Sequence, residues 1–305
     1  LIYSITLNPS IDYVVTLDQL QLGQVNRLAT AVKLPGGKGI NVSRILQALA
    51  LPTTALGFVG GFTGQFIEAE LTARGLAHAF TPIAADTRIN VKLKGEAETE
   101  LNAPGPHVIE AEQAAFCQAL QDQLCPGDVV VMAGSLPTGL PVSFYRDLIP
   151  MIRAAHADFV IDTTGQALLE TLSQHPLVVK PNHHELAALF NVPEYPDLPS
   201  IVAAGRDLLT RGAQHVLVSM AGKGALMITP EHAYHGTVPA GQVVNSVGAG
   251  DSMLAGFTGT LTRTGDALEA FKVGIACGSA TAFTQDLATR AQIDAVYHTI
   301  SLEEI

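Results

Sequence analysis

Ile2-Tyr3-Ser4-Ile5-Thr6-Leu7, followed at once by Asn8-Pro9-Ser10, is a short apolar, β-branched run that stops at small and polar residues. A strand buried on both faces reads this way, as a continuous apolar run bounded by turn residues. The same form recurs at residues 55–59, 129–132, 159–161, 177–179 and 216–218. Between these runs, residues 65–74, 110–124, 142–155, 200–211 and 266–283 carry apolar positions at helical spacing. Strands alternating with helices predict an α/β fold, a doubly wound and mainly parallel sheet. Ligands in such sheets gather at the carboxyl ends of the strands. Those ends read Asn8-Pro9-Ser10, Gly60-Gly61, Gly134-Ser135, Asp162-Thr163, Lys180-Pro181-Asn182 and Ser219, almost all small or polar.

Two segments break the alternation, residues 11–33 and 87–103, the second with Gly95 at a bend. Both read as antiparallel hairpin material that forms one small β-sheet, a lid on a single domain spanning residues 1–305. Within Arg88-Ile89-Asn90-Val91-Lys92-Leu93-Lys94 the period of two sets Arg88, Asn90, Lys92 and Lys94 on one face and the apolar residues on the other. That cationic face suits either an anion or the protection of a solvated edge strand.

The chain has 305 residues, 48% hydrophobic and 15% charged, enough to bury a large core and too apolar for a disordered or fibrous protein. A formal net charge of −11, from 17 basic and 28 acidic side chains, argues against nucleic acid or an anionic membrane as main partner. A small anionic substrate then needs a local basic pocket. Cys117, Cys125 and Cys277 have no metal-ligand spacing and are an odd number, so they read as thiols of a reducing cytoplasm. No apolar run approaches the roughly 20 residues of a membrane span, and Leu1-Ile2-Tyr3-Ser4 lacks the pattern of a secretory signal. A soluble, cytoplasmic protein is expected.

The strongest local signal is Asn245-Ser246-Val247-Gly248-Ala249-Gly250-Asp251-Ser252, leading into the small-residue helix Met253-Leu254-Ala255-Gly256-Phe257. Backbone amides of Gly248, Ala249 and Gly250 at a helix N-terminus suit a phosphoryl group that gains charge in a transition state. Asp251 in the first turn is placed to accept a proton from an attacking hydroxyl, or simply to cap the helix. A second cluster, Pro35-Gly36-Gly37-Lys38-Gly39-Ile40-Asn41-Val42-Ser43-Arg44, opens another helix. It is no Walker A loop, yet bare backbone with Lys38 and Asn41 offers donors to an anionic ligand.

In order and separation these two clusters resemble the two signatures of the PfkB (ribokinase-like) carbohydrate-kinase family. Asn8-Pro9-Ser10-Ile11-Asp12, Gly134-Ser135-Leu136-Pro137, Asp162-Thr163-Thr164-Gly165 and Lys180-Pro181-Asn182-His183-His184-Glu185 fall in register with it, so the resemblance spans the chain. It implies a ribokinase-like fold, ATP and Mg²⁺, with Asp251 as catalytic base. Asp12, Gly37, Lys38, Asn41, Arg88, Asn90, Lys92 and Ser135 are then sugar-phosphate residues. Lys180, Asn182, Glu185, Ser219, Gly222 and Gly224 are then nucleotide residues, with Glu185 reaching Mg²⁺ through water. In Ser219-Met220-Ala221-Gly222-Lys223-Gly224, Ala221 stands where the family's nucleotide loop carries its first glycine. His183 and His184 lack a third ligand for zinc and read as residues of a helix start. Cys277 lies on a small-residue helix that in the family passes near the adenine.

Thr6–Asp12 and the 35–44 run look like the branch acting on ketohexose phosphates. Lys38, Arg88 and Lys92 are needed at one end of the pocket only if the substrate already carries a phosphate. The implied reaction is phosphorylation of D-fructose 1-phosphate at C6, the alternative being tagatose 6-phosphate at C1. A homodimer through the lid follows from the same resemblance. A non-catalytic sugar-phosphate sensor on the same fold is the competing class, and retention of Asp251 with Lys38, Arg88 and Glu185 argues against it.

Overall fold

The computed structural model describes every residue except Ala97 and Ala240. Ala97 belongs to the second expected lid segment and lies outside the described residues. In chain order the elements are β1 (Ile2–Thr6), β2 (Ser10–Thr16), β3 (Thr30–Gly36), α1 (Lys38–Ala48), β4 (Thr53–Gly60), α2 (Gly61–Ala73), β5 (His78–Ile83), β6 (Arg88–Lys94) and β7 (Thr99–Leu101). They continue with α3 (Glu110–Gln123), β8 (Val129–Ala133), α4 (Phe144–Ala154), β9 (Asp158–Asp162), α5 (Gly165–Leu172), α6 (His183–Leu189), α7 (Leu198–Thr210) and β10 (Val216–Ser219). After these come β11 (Ala225–Ile228), β12 (Ala233–Gly236), α8 (Ala249–Thr264), α9 (Ala267–Ala282), α10 (Arg290–Tyr297) and β13 (Leu302–Glu304).

The main sheet runs β5-β4-β1-β8-β9, all parallel, with the wholly buried β1 at its centre. The expected strand at residues 177–179 is reduced to Val179, which bridges Ile161 on one side and Val216 on the other. A three-residue run between Pro176 and Pro181 is too short, and too poor in amide donors at its borders, to carry a full ladder. Through this seam the sheet passes to β10-β11-β12-β13, which is antiparallel.

Alternation along β8 divides the core. Val130 and Met132 pack with Phe116, Leu120, Leu148 and Leu208 of α3, α4 and α7. Val129 and Val131 pack with Ile45, Leu46, Leu254 and Phe271 of α1, α8 and α9. Helices therefore cover both faces, as a sheet of continuous apolar strands requires. On the α1 side a buried hydroxyl chain links Ser4, Ser43 and Thr53, with oxygen–oxygen separations of 2.6 and 2.7 Å. These polar atoms of β1, α1 and β4 satisfy one another, which fixes α1 in register against the sheet.

The second sheet has the order β3-β2-β6-β7. β2–β3 and β6–β7 are antiparallel hairpins, as expected, whereas β2 pairs with β6 in parallel, Ser10 opposite Arg88 and Thr16 opposite Lys94. The sheet springs from the carboxyl end of β1 and returns to the start of α1, so it hangs over the end of the main sheet where ligands bind.

Candidate active site

Asp251 stands in the first turn of α8, buried, with N-cap Gly248 in the left-handed region at φ 80°. Its Oδ2 accepts a hydrogen bond of 2.9 Å from Nδ2 of Asn41, one turn into α1. The two glycine clusters of the sequence thus meet at one point. Burial raises the proton affinity of the Asp251 carboxyl and neighbouring Asp162 adds to it, against the lowering effects of Lys38, Asn41 and Lys180. A carboxylate shifted upward and held by a neutral amide donor is suited to take a proton from a hydroxyl.

Two lysines close this cluster. Lys38 Nζ pairs with Asp162 Oδ2 at 2.8 Å, and Lys180 Nζ with Oδ1 of the same carboxylate at 3.6 Å. Lys180 also approaches the start of α8, where a Cβ on Gly250 would meet its ammonium at 3.1 Å. Burial by itself would raise the Asp162 carboxyl, but Lys180 and Lys38 outweigh it and hold the group below the ordinary aspartate range. Lys38 shows the mirror effect: burial lowers its proton affinity, and the charge and hydrogen bond of Asp162 more than restore it. Glu185 adds a further favourable charge to Lys38. In the sequence Asp162 was legible as a polar strand end and as part of a stretch in register with the family, with no role of its own; its side chain is at the centre of the cluster.

A second cluster lies on the small sheet. Asp12 accepts from Ser10 Oγ at 2.7 Å and pairs with Lys92 Nζ at 3.2 Å, while Lys92 also reaches Glu100 at 3.6 Å. A Cβ on Gly36 would fall 2.5 Å from the Asp12 carboxyl carbon, so only glycine lets β3 pass this side chain. Asn90 is buried, donating to Ser10 Oγ at 3.1 Å and accepting from the Ala103 amide at 3.1 Å. Asp12, Lys92 and Lys94 share the sheet face that lines a cleft of about 640 Å³, closed on the far side by Asn41 and Arg44 of α1, by Asn245 and Val247, and by Asp286. Arg44 holds Asp286 through both guanidinium ends, at 3.1 and 2.5 Å, and thereby ties α1 to the loop after α9. Burial opposes ionisation of Asp286, and that bond and charge keep it ionised.

Arg88 sits where the small sheet joins the main one. Its terminal nitrogens donate to the carbonyl oxygens of Ala103 at 2.7 Å and Asn8 at 2.9 Å. Ser135 Oγ accepts from Asn8 Nδ2 at 3.3 Å in the same corner. The three cations of the expected phosphate end therefore have different anchors: Asp162 for Lys38, backbone carbonyls for Arg88, Asp12 and Glu100 for Lys92. Gly37, the N-cap of α1, packs against Thr6.

The residues expected to meet the nucleotide form a third group at the seam of the sheet. Asn182 caps α6: its Oδ1 accepts from the Glu185 amide and Glu185 Oε2 accepts from the Asn182 amide, each at 2.8 Å. Asn182 bridges Ser219, whose carbonyl lies 3.3 Å from His183 Nδ1. The rings of His183 and His184 lie with centres 3.9 Å apart, tilted 38° to one another. The following turn, Ala221–Lys223, is a short 3₁₀ segment leading through Gly224 into β11. Ala221 itself takes the left-handed conformation, φ 50°, so the alanine keeps the backbone a glycine would adopt and carries the strain. Gly222 stands in open space beside it. Cys277 is buried against Gly256, and burial pushes its thiol up to about 12.

Residues 5–293 match the model of the pfkB family carbohydrate kinases. The chain is 45% identical over 289 residues to a 1-phosphofructokinase of Bacillus subtilis, 95% of each chain being covered. It is 36% identical to a D-tagatose-1-phosphate kinase of Bacillus licheniformis, over 96% of both. Among solved structures, phosphofructokinase-2 from Escherichia coli in complex with fructose-6-phosphate superposes with a TM-score of 0.91 at 29% identity, covering 98% of both chains. With its two glycine clusters meeting at Asp251 and its match running almost end to end, the chain belongs to the PfkB family of carbohydrate kinases.

Proposed function

We propose that this protein transfers the γ-phosphoryl group of ATP to the C6 hydroxyl of D-fructose 1-phosphate, giving ADP and fructose 1,6-bisphosphate. The observation that carries the reading is Asp251: a buried carboxylate of raised proton affinity at the amino end of a helix, held by Asn41 and flanked by two lysines. The relative at 45% identity supports the choice of sugar.

In the reaction the C6 oxygen attacks the γ-phosphorus in line and its bond to the β,γ-bridging oxygen breaks. Asp251 accepts the hydroxyl proton, and ADP leaves. The amides of Gly248 and Gly250 and the positive end of α8 serve the charge that develops on the transferred group, and the Ala249 amide joins them by giving up its 3.3 Å bond to the Ser246 carbonyl. Asp12, Asn90, Ser135 and the Gly37–Asn41 turn form the sugar half, with Lys92 and the remaining donors of Arg88 toward the existing phosphate. Lys180, Asn182, Ser219, Gly222 and Gly224 form the nucleotide half.

A divalent cation suits this half. Glu185 engages one carboxylate oxygen in its capping pair and leaves the other, and among the described residues no group of three acidic, histidine or cysteine ligands exists to hold a metal alone. That donor set fits Mg²⁺ carried by ATP phosphates and water, with Glu185 contacting it through water. When bound, the ion neutralises the polyphosphate.

The four-stranded sheet acts as a lid on one α/β domain and, in this reading, pairs with the lid of a second copy in a cytoplasmic homodimer. Leu22, Val25, Ile89 and Leu101, all exposed on its strands and connecting loop, support a partner there. A coupled ADP-release assay with fructose 1-phosphate, tagatose 1-phosphate, tagatose 6-phosphate and fructose 6-phosphate tests the activity. The highest kcat/KM is expected for fructose 1-phosphate. A clear preference for any of the other three would replace the substrate, and release of ADP with none would remove the reading.

A further inference from the structure

The reaction as proposed leaves one acid of the central cluster without a task. Asp162 ends β9, is 8% exposed, and divides its two oxygens between Lys38 and Lys180. A buried charge persists only when paired, and here one anion faces two cations. We propose that Asp162 is a positioning residue for phosphoryl transfer, fixing where the charges of Lys38 and Lys180 stand relative to Asp251 and the transferring group. The inference rests on the assignment of Asp251 as proton acceptor.

Lysine is a point charge on a flexible stem and goes to the nearest available anion. Lys38 begins α1 and its side chain is 45% exposed, so packing alone does not hold it. The anions within its influence are Asp162, Asp251 and Glu185. Were Asp162 neutral, both lysines would shift their attraction to Asp251, and a carboxylate paired directly with a cation is a weak proton acceptor. Asp162 thus keeps the lysines near the base without letting them neutralise it. The charged groups acting on Asp251 are Asp162 from the end of β9, Lys38 from α1 and Lys180 from the segment before α6, with Asn41 as neutral donor. α9 lies along α8 and presents a hydroxyl, Thr281 Oγ1, to Ser252.

The sign of the effect is fixed by charge. Asp162 raises the proton affinity of Asp251 and the lysines lower it. Asp162→Asn removes the first influence and frees the second, so both changes move the acid limb of the kcat–pH profile to lower pH. Lys38→Met removes a cation and moves the limb to higher pH. Substrate ionisations are common to all profiles, so the differences belong to the protein.

The test measures kcat at saturating ATP, Mg²⁺ and fructose 1-phosphate across pH for the parent, Asp162→Asn, Lys38→Met and the double variant. Expected for Asp162→Asn are a kcat lower by about 10- to 100-fold, as for a misplaced catalytic group, an acid limb at lower pH, and little change in sugar KM. In the Lys38→Met background the same substitution is expected to cost clearly less, because the two residues act as one unit. A fallen kcat with an unmoved acid limb, or fully additive losses, would overturn the proposal. If Asp162→Asn fails to fold, Asp162→Glu retains the charge and displaces it: a lowered kcat supports the positioning role, and a normal one overturns it. Asp251→Asn, measured alongside, addresses the underlying assignment; a normal kcat there withdraws the base itself, a result distinct from an unmoved limb in Asp162→Asn.

Discussion

Replacing Arg88 by alanine should weaken the fold as well as the substrate complex. Its guanidinium holds two backbone carbonyls, Asn8 just beyond β1 and Ala103 beyond β7, at a joint that the Asn8 side chain also spans by donating to the Pro104 carbonyl at 3.2 Å. Hydrogen bonds to a charged group contribute about 1.5 to 3 kcal/mol each. Arg88 is only partly buried, so solvent screening brings the pair to about 2 to 3 kcal/mol. With an unfolding entropy near 2.1 cal/mol/K per residue, a chain this long loses about 1.5 °C per kcal/mol, hence about 3 to 5 °C in Tm. Differential scanning calorimetry of parent, Arg88→Ala and Arg88→Lys, with KM for fructose 1-phosphate from the coupled assay, separates the two roles. The lysine variant keeps a charge for the phosphate but cannot fork between two carbonyls, so its Tm should fall nearly as far while KM rises less. A Tm within 1 °C of the parent for Arg88→Ala, about the resolution of so small a ΔΔG, would mean that the carbonyl bonds contribute nothing, and the joint would need another explanation.

Asp251→Asn keeps the shape and the Asn41 contact but removes the proton acceptor; kcat should fall by about 10² to 10⁴ with both KM values close to the parent's, and near-normal turnover would refute the assignment. Glu185→Gln retains the capping pair, since glutamine serves that position as well, so Tm should hold while the Mg²⁺ dependence of turnover moves to higher concentration. An unchanged Mg²⁺ titration would leave Glu185 as a helix-start residue. Sedimentation velocity should find a dimer at assay concentration, and a fully active monomer would exclude lid pairing.

Four of the five parallel strands were legible because strands buried on both faces have no polar alternation to confuse them: residues 129–132 and 159–161 fall inside β8 and β9, whereas the half-exposed edge strand β5 was not read. β12 and β13 were not, being three or four residues long and carrying Tyr234, His235, Glu303 and Glu304, which look like loop. The short helices α5 and α10 were missed for the same want of length. In the small sheet both hairpins were legible as segments that break the strand–helix alternation, but the parallel joining of β2 to β6 depends on where β1 and β5 end, which no local pattern encodes. The meeting of Asn41 with Asp251 was implicit in two glycine motifs that each want a helix start. The pairing of Lys38 with Asp162 spans 124 residues and no periodicity connects them. Arg88 stands out in the sequence by the family resemblance and by its charge; its hold on two carbonyls depends on tertiary geometry alone.

The small sheet is assembled from two excursions of the chain, and that governs the order in which the molecule can gain its contacts. Asn90 bonds Ser10 across 80 residues, a loop whose closure is costly in an unfolded chain. The cost falls away once β1, β4 and β5 have paired and brought the two roots of the small sheet side by side. Contacts of long sequence separation form late for this reason. Asp12, Asn90 and Lys92 are therefore brought together only on a nearly finished main sheet, so a partly folded chain that has not yet built it lacks this cluster of charged and amide side chains.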